Sequence, residues 1–219
     1  MLLESFLIYI MQTQDLFCTR FFKTKIDKKS YDKEKIIEEC ISRYKEQPYR
    51  NDWDNFSVLH HYTNDMVNGP DLSSLDDIYD NIIQDYMSSI QGDFDYRWHL
   101  TNIAINTKYM VEHDHFHRLD NSQCMFACIH YISYNKDFHS STRFKNPLKI
   151  SEPFDNYKHI SKQLHNTLDN STYFSDYIFD TEEDDFVIFP SYLKHCVDNG
   201  TKDDSIPRIV SSINIEWKT

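Results

Sequence analysis

Apolar residues recur at intervals of three and four positions in two stretches of the first 90 residues, which is the spacing of an amphipathic helix. The first stretch predicts a helix over Ser30–Lys45. The second predicts a helix from about Leu75 to Ile90, after a break at Gly69-Pro70. Ahead of both, aromatic and β-branched residues over Leu16–Ile26 predict an N-terminal strand.

From Phe94 onward the pattern changes to short apolar or alternating runs separated by clusters of Asn, Asp, Lys and Ser. We predict strands at Arg97–Ile105, Lys108–His115, Met125–Ser133, Phe186–Phe189 and Ile209–Trp217. Residues 151–180 are polar and aromatic without a clean period and predict an excursion or lid. Asp180–Asp185 predicts a solvated turn before a strand. Two packing helices followed by many short strands favour a sandwich or jelly-roll body.

The length of 219 residues suits one domain, with residues 1–92 as an N-terminal strand and helices and residues 94–219 as the β core. The formal charge of −12 argues against a broad footprint for duplex nucleic acid, which requires clustered Lys and Arg. Five cysteines without a CxxC pair are expected to be small core residues in a reducing compartment. The apolar start of the chain is too short for a membrane span. We therefore expect a soluble, cytoplasmic protein.

Three histidines at spacing two, His113, His115 and His117, carry the strongest chemical signal. In a strand their side chains would all project to one face, and crowded imidazoles suit a borderline divalent metal. His195 follows about 80 residues later, after the apolar run Phe186–Pro190. Two ligands from one strand and a third from a distant strand would hold a metal with open positions.

The order of motifs along the second half of the chain carries a family resemblance. These motifs are His113-x-His115, Ile129-His-Tyr-Ile132, Thr142-x-Phe-x-Asn-Pro147, Asp185-Phe-Val-Ile-Phe-Pro-Ser-x-Leu-x-His195 and Arg208-Ile-Val-Ser-Ser-Ile-Asn214. The order resembles that of the iron(II)- and 2-oxoglutarate-dependent oxygenases, and more narrowly that of oxygenases predicted in many bacteriophages. The resemblance implies a double-stranded β-helix, or jelly roll, with an N-terminal helical layer packed on one sheet.

The same resemblance implies a dioxygenase that uses Fe(II), 2-oxoglutarate and O₂ and releases succinate and CO₂ while hydroxylating a substrate. It assigns the iron to His113, His115 and His195, and the pair His115 and His117 remains the alternative on the first strand. It assigns the distal carboxylate of 2-oxoglutarate to Arg208, because a guanidinium pairs a carboxylate bidentately.

Two hydroxyl residues are further candidates for the 2-oxoglutarate site. Ser212 shares a strand face with Arg208 by alternation and is expected to add a hydroxyl contact. Tyr131 is a candidate for the same carboxylate, or a structural tyrosine whose hydroxyl is satisfied within the core. His130, beside it, is expected to be a buried, hydrogen-bonded side chain and not a metal ligand.

Two other functions fit the same residues. One is a cupin-like metal enzyme that does not use 2-oxoglutarate, and the other is a non-enzymatic phage jelly-roll module. The prime substrate stays open among a protein side chain, a nucleobase, a sugar and a small metabolite. If the protein is viral, its compartment is the cytoplasm of the host cell.

Overall fold

The structure is a computed structural model that describes residues 19–46, 60–61, 69–90, 95–106, 124–145, 176–197 and 205–218. This part of the chain contains two helices and nine strands. Their bounds are β1 (Phe22–Lys25), α1 (Lys33–Glu46), β2 (His60–His61), α2 (Ser73–Ser89), β3 (Tyr96–Asn106), β4 (Cys124–Ser133), β5 (Thr142–Lys145), β6 (Asp176–Ile178), β7 (Asp185–Pro190), β8 (His195–Val197) and β9 (Arg208–Trp217).

The strands form two antiparallel sheets. The larger sheet has six strands in the order β1-β7-β4-β9-β3-β2, and the smaller sheet has three in the order β6-β5-β8. The long strands β3, β4 and β9 lie side by side in the larger sheet, so they provide its central surface.

The two faces of the six-stranded sheet pack against different partners. On one face lies a helix-side core, in which α2 places residues four positions apart against the sheet. Members of this core include Ile36, Leu75, Tyr79, Ile83, Met87, Ile103, Cys128, Ile213 and Ile215. On the other face lies an inter-sheet core that includes Ala104, Ala127, Ile129, Tyr131, Phe144, Val187, Phe189, Leu193 and Val210. Because Phe144 comes from the smaller sheet, this second core fills the space between the sheets.

Both predicted helices are present, although α1 begins at Lys33 and not at Ser30. Four of the predicted strands are confirmed within a few residues as part of β3, β4, β7 and β9. The N-terminal strand is shorter than predicted where it is described, and the predicted strand 108–115 lies outside the described residues. The short strands β5, β6 and β8 were not predicted, because three or four residues are too few for an alternating pattern to register.

The prediction that Asp180–Asp185 is a solvated turn is wrong for three of its residues, Thr181, Asp184 and Asp185, which are buried. Asp184 is buried, and its carboxylate accepts hydrogen bonds from Tyr31 Oη at 2.6 Å and from Lys33 Nζ at 2.7 Å. Its backbone has φ 67°, a left-handed conformation that Asp adopts more readily than most residues. The side chain of Lys33, the first residue of α1, covers this turn and forms an ion pair with Asp184. This buried pair anchors the first turn of α1 to the end of the sheet.

The prediction that the cysteines are core residues is confirmed for the four that the structure describes. Cys40, Cys124, Cys128 and Cys196 are buried thiols, and Cys128 belongs to the helix-side core. Burial raises the pKa of the Cys40 thiol to about 12 and that of the Cys124 thiol to about 11. Neither α1 nor α2, the two helices of the described ranges, has the length and apolar character that crossing a bilayer requires.

Candidate active site

The inner face of β9 carries every second residue from Arg208 onward. Val210 lies in the inter-sheet core and pairs with Tyr131 across the β4–β9 ladder, while Ser212 pairs with Ile129 of the same core. Side chains directly opposite each other in an antiparallel pair share a face. Arg208 and Ser212 therefore face the space between the sheets, as the alternation predicts.

The guanidinium of Arg208 is enclosed by two hydroxyl residues. Arg208 is 1% exposed, and its Cζ lies 5.2 Å from the centroid of the Tyr131 ring. Tyr131 Oη donates to Thr142 Oγ1 at 2.7 Å, and Arg208 Nη2 donates to the same oxygen at 3.4 Å. Because Thr142 Oγ1 accepts both bonds, its own hydroxyl hydrogen is left to donate elsewhere.

Thr142 was not assigned a role from the sequence, although the Thr142-x-Phe-x-Asn-Pro147 motif contains it. It is fully buried at the start of β5, which is too short to be predicted as a strand. The alternation of Thr142 with Phe144, two residues later on the same strand face, was the signal that the sequence offered. The structure places it between the two residues that were assigned to the carboxylate, so a cation and hydroxyl groups share one buried pocket.

His195 begins β8 and is 3% exposed. Its Nδ1 lies 2.9 Å from the backbone oxygen of Leu193. A carbonyl oxygen only accepts hydrogen bonds, so Nδ1 carries the hydrogen and the lone pair of the neutral ring lies on Nε2. The ring is fixed further by Phe189 and Phe144, whose ring centroids lie 4.9 and 5.7 Å from that of His195. The ring is thus oriented in the way that metal-binding histidines are.

Strand β5 joins the Arg208 pocket to His195. Thr142 and Phe144 alternate along β5 and are both buried, so they face the same interior. Thr142 contacts Arg208, whereas Phe144 pairs with His195 across the β5–β8 ladder. The two sites therefore belong to one inter-sheet space.

The structure brings together four of the six predicted site residues. Arg208, Tyr131 and His195 are buried around that space, and Ser212 is partly buried on its β9 side. The predicted ligands His113 and His115, like the alternative ligand His117, lie outside the described residues. Within the described ranges alone, no cluster of three potential metal ligands occurs.

His130 and Tyr131 are neighbours in sequence on opposite faces of β4. The His130 ring is fully buried on the helix side, where Nδ1 lies 2.8 Å from Tyr79 Oη, which also lies 2.9 Å from Ser211 Oγ. Burial, with a smaller effect of the nearby Lys33 charge, lowers the pKa of His130 to about 3. The expectation that His130 is a hydrogen-bonded core residue is confirmed.

His139 lies in the turn between β4 and β5 and is 5% exposed. Its Nδ1 accepts a hydrogen bond from the backbone N–H of Asn135 at 2.9 Å, and its Nε2 donates to the backbone oxygen of Ile206 at 2.7 Å. Burial is the largest cause that lowers its pKa below the ordinary value of 6.5, and the Arg208 charge adds to it. Sequence reasoning did not single out this residue, because one histidine in a polar turn has no distinguishing pattern.

The donor set at this site fits two chemical groups. A buried guanidinium beside hydroxyl groups fits a carboxylate, since charge-assisted hydrogen bonds strengthen where water is excluded. An imidazole held by an Nδ1–H bond to a carbonyl fits a divalent metal at Nε2. A small molecule that chelates a metal at one end and carries a carboxylate at the other would match both His195 and Arg208.

Solved structures share the fold of this chain. It aligns with a prolyl hydroxylase from Trichoplax adhaerens, solved with a peptide fragment of the hypoxia-inducible factor, at a TM-score of 0.56 and 11% identity over 90% of this chain and 83% of that one. A prolyl-4-hydroxylase from Pseudomonas putida aligns at a TM-score of 0.52 and 10% identity, covering 91% and 94% of the two chains. HygX from Streptomyces hygroscopicus, solved with nickel and 2-oxoglutarate, aligns at 0.50 and 11% identity, covering 91% and 83%.

No protein-family model matches the chain, and no curated protein sequence matches it significantly. The structural likeness is therefore one of fold, at identities too low to carry residue roles across. The predicted mainly β class is confirmed, and the structure adds that the sheets are antiparallel.

Proposed function

We propose that this protein is an Fe(II)- and 2-oxoglutarate-dependent dioxygenase that hydroxylates a prime substrate and releases succinate and CO₂. Its proposed architecture is a double-stranded β-helix with an N-terminal helical layer. The observation that carries the proposal is the buried Arg208 beside Tyr131 and Thr142, in the same inter-sheet space as His195.

His113, His115 and His195 are the proposed iron ligands, and Arg208 is the proposed partner of the distal carboxylate of 2-oxoglutarate. Tyr131 and Thr142 provide hydroxyl groups at that end, and Ser212 is the proposed further contact on β9. When bound, the iron and 2-oxoglutarate supply the oxidising power for O₂-dependent hydroxylation.

The residues of the described site orient the His195 ring and exclude water from the space between the sheets. The Nδ1–H bond of His195 fixes the tautomer that presents Nε2 as a ligand. Phe144, Phe189 and Val210 make the inter-sheet core apolar, which lowers the local dielectric constant and strengthens the attraction between Arg208 and a carboxylate. The same packing excludes water from the reaction.

The structural neighbours support this proposal because they include prolyl hydroxylases and a protein solved with nickel and 2-oxoglutarate. One of them was solved with a peptide fragment. A protein side chain is thus one of the prime substrates to test here, beside nucleobases, sugars and small metabolites.

The test is the affinity of Fe(II)-loaded protein for 2-oxoglutarate under anaerobic conditions, followed by the visible charge-transfer band of the chelate. Truncating one partner of a buried charge pair typically costs about 2–5 kcal/mol, so Arg208→Ala should raise the Kd for 2-oxoglutarate about 30-fold or more. Iron binding should stay close to wild type. Arg208→Lys should recover only part of the affinity, because an ammonium lacks the planar fork.

Arg97→Ala is the matched control, because Arg97 is an exposed arginine whose salt bridge is to Glu216, at 3.1 Å. It should leave the 2-oxoglutarate affinity unchanged. If folded Arg208→Ala binds 2-oxoglutarate as wild type does, the proposal fails, and a cupin-like metal enzyme that does not use 2-oxoglutarate becomes the better interpretation.

A further inference from the structure

The segment that leads into Arg208 is held by side chains from the end of β4 and from the β4–β5 turn. Ser133 Oγ donates to the backbone oxygen of Pro207 at 3.1 Å, and His139 Nε2 donates to the backbone oxygen of Ile206 at 2.7 Å. These two carbonyls immediately precede Arg208. The His139 bond is the shorter of the two, and its donor is almost fully buried.

The ring of His139 is also packed into the Arg208 pocket. Tyr134 contacts it edge to face at a centroid distance of 5.7 Å and contacts the Tyr131 ring in the same manner at 5.5 Å. The Tyr131 ring in turn lies beside the Arg208 guanidinium. His139 thus connects to Arg208 both through the backbone that leads into β9 and through two aromatic rings.

We propose that His139 is a positioning residue for Arg208, which it aims at the distal carboxylate of 2-oxoglutarate by holding the Ile206 carbonyl. The inference rests on the proposed function. The ring of His139 is not itself a ligand of the carboxylate, because both of its nitrogens are used by the backbone groups of Asn135 and Ile206.

The arrangement requires one protonation state. Nδ1 accepts from the Asn135 N–H while Nε2 donates, and a protonated ring would turn Nδ1 into a donor facing another donor. The charged and titratable groups around the ring are Arg208 on β9, Glu183 in the turn before β7, and Tyr134 after β4. Burial and the Arg208 charge lower the pKa of the ring, whereas the hydrogen bond to the Ile206 carbonyl and the Glu183 charge raise it. The neutral ring is therefore held by both bonds, and protonation in acid removes the bond from Asn135 that orients Nε2 toward Ile206.

Two substitutions of His139 test its two hydrogen bonds, to Asn135 and to Ile206, one at a time. His139→Gln can place an amide donor near the position of Nε2 and keep the bond to Ile206, whereas His139→Asn can place its oxygen near the position of Nδ1 and keep only the bond from Asn135. Because His139→Asn loses the buried hydrogen bond to Ile206, it should raise the Kd for 2-oxoglutarate by up to about tenfold, which corresponds to about 1.4 kcal/mol. His139→Gln should stay within about twofold of wild type.

The measurement is again anaerobic titration of Fe(II)-saturated protein with 2-oxoglutarate, repeated between pH 5.5 and 7.5. Wild type should lose affinity in acid more steeply than His139→Gln, which shares its metal ligands but lacks the titrating ring. Ile83→Ala, in the helix-side core, controls for general destabilisation and should leave the Kd unchanged. The iron content of every variant should match that of wild type.

Equal Kd values for folded His139→Asn, His139→Gln and wild type would overturn the inference, as would the same loss of affinity in Ile83→Ala. If His139→Asn does not fold, the pH profiles of wild type and His139→Gln decide the question, because coincident profiles would refute the positioning role. A wild-type protein that binds iron but shows no saturable 2-oxoglutarate binding would refute the proposed function itself. If wild type does bind 2-oxoglutarate and the His139 variants bind it equally well, only the positioning role of His139 is refuted.

Discussion

Acidification should destabilise this protein through His130, because the fully buried ring must bind a proton when the chain unfolds. Burial, together with the Lys33 charge, lowers its pKa from 6.5 to about 3. A group whose folded pKa is lowered in this way contributes full stability above pH 6.5 and loses it as the pH falls toward 3. At 1.36 kcal/mol per pKa unit, the loss between pH 7 and pH 5 is about 2 kcal/mol, and it reaches about 4 kcal/mol near pH 3.

The assay is urea unfolding of wild type and His130→Asn at several pH values between 5 and 7, followed by circular dichroism. Asparagine can place its oxygen near the position of Nδ1 and keep the hydrogen bond to Tyr79, but it does not titrate. Wild type should therefore lose about 2 kcal/mol more than His130→Asn across this range. His99→Asn, which replaces an exposed histidine on β3, is the control for a changed histidine count. Parallel pH dependence of wild type and His130→Asn would refute the argument from burial.

Further outcomes are expected on the helix side of the sheet. Lys33→Met should destabilise the protein by about 3–5 kcal/mol in urea unfolding, because it leaves the buried Asp184 carboxylate without its cation, whereas Lys35→Met, which removes an exposed ion pair, should have little effect. A loss in Lys33→Met no larger than in Lys35→Met would contradict this. A thiol reagent such as Ellman's reagent should label the buried cysteines, Cys40 and Cys124 among them, only after unfolding. Their rapid labelling in the native protein would show that these thiols are accessible.

The sequence was most informative where a residue pattern repeats over many positions. The four-residue spacing in α2 and the alternation in β9 predicted not only the elements but the face on which Arg208 and Ser212 lie. His195 was identified as a candidate metal ligand because it follows the distinctive apolar run Phe186–Pro190. The structure adds its Nδ1–H bond to Leu193, which no sequence pattern could reveal.

Long-range contacts were beyond the reach of those patterns. Thr142 contacts Arg208 across 66 residues, and His139 contacts Ile206 across 67. Asp184 looked like part of an acidic, solvated turn because its buried partner Lys33 lies 151 residues away. Local composition reports such residues as polar, and only the topology shows that their polar groups are satisfied in the interior.

The pairing of β1 with β7 constrains the order in which the chain can fold as it is synthesised. Lys23 of β1 and Asp185 of β7, which form a salt bridge at 3.0 Å, are 162 residues apart. At about 5–20 residues per second, a ribosome needs on the order of 10 s to produce this stretch, so β1 emerges long before the strand that will receive it. Its alternation of Phe22 with Lys23 and Lys25 gives the waiting segment charges that oppose pairing with other nascent chains. The lysines of β1 would thus protect the chain during translation, before the ion pairs seen in the folded protein exist.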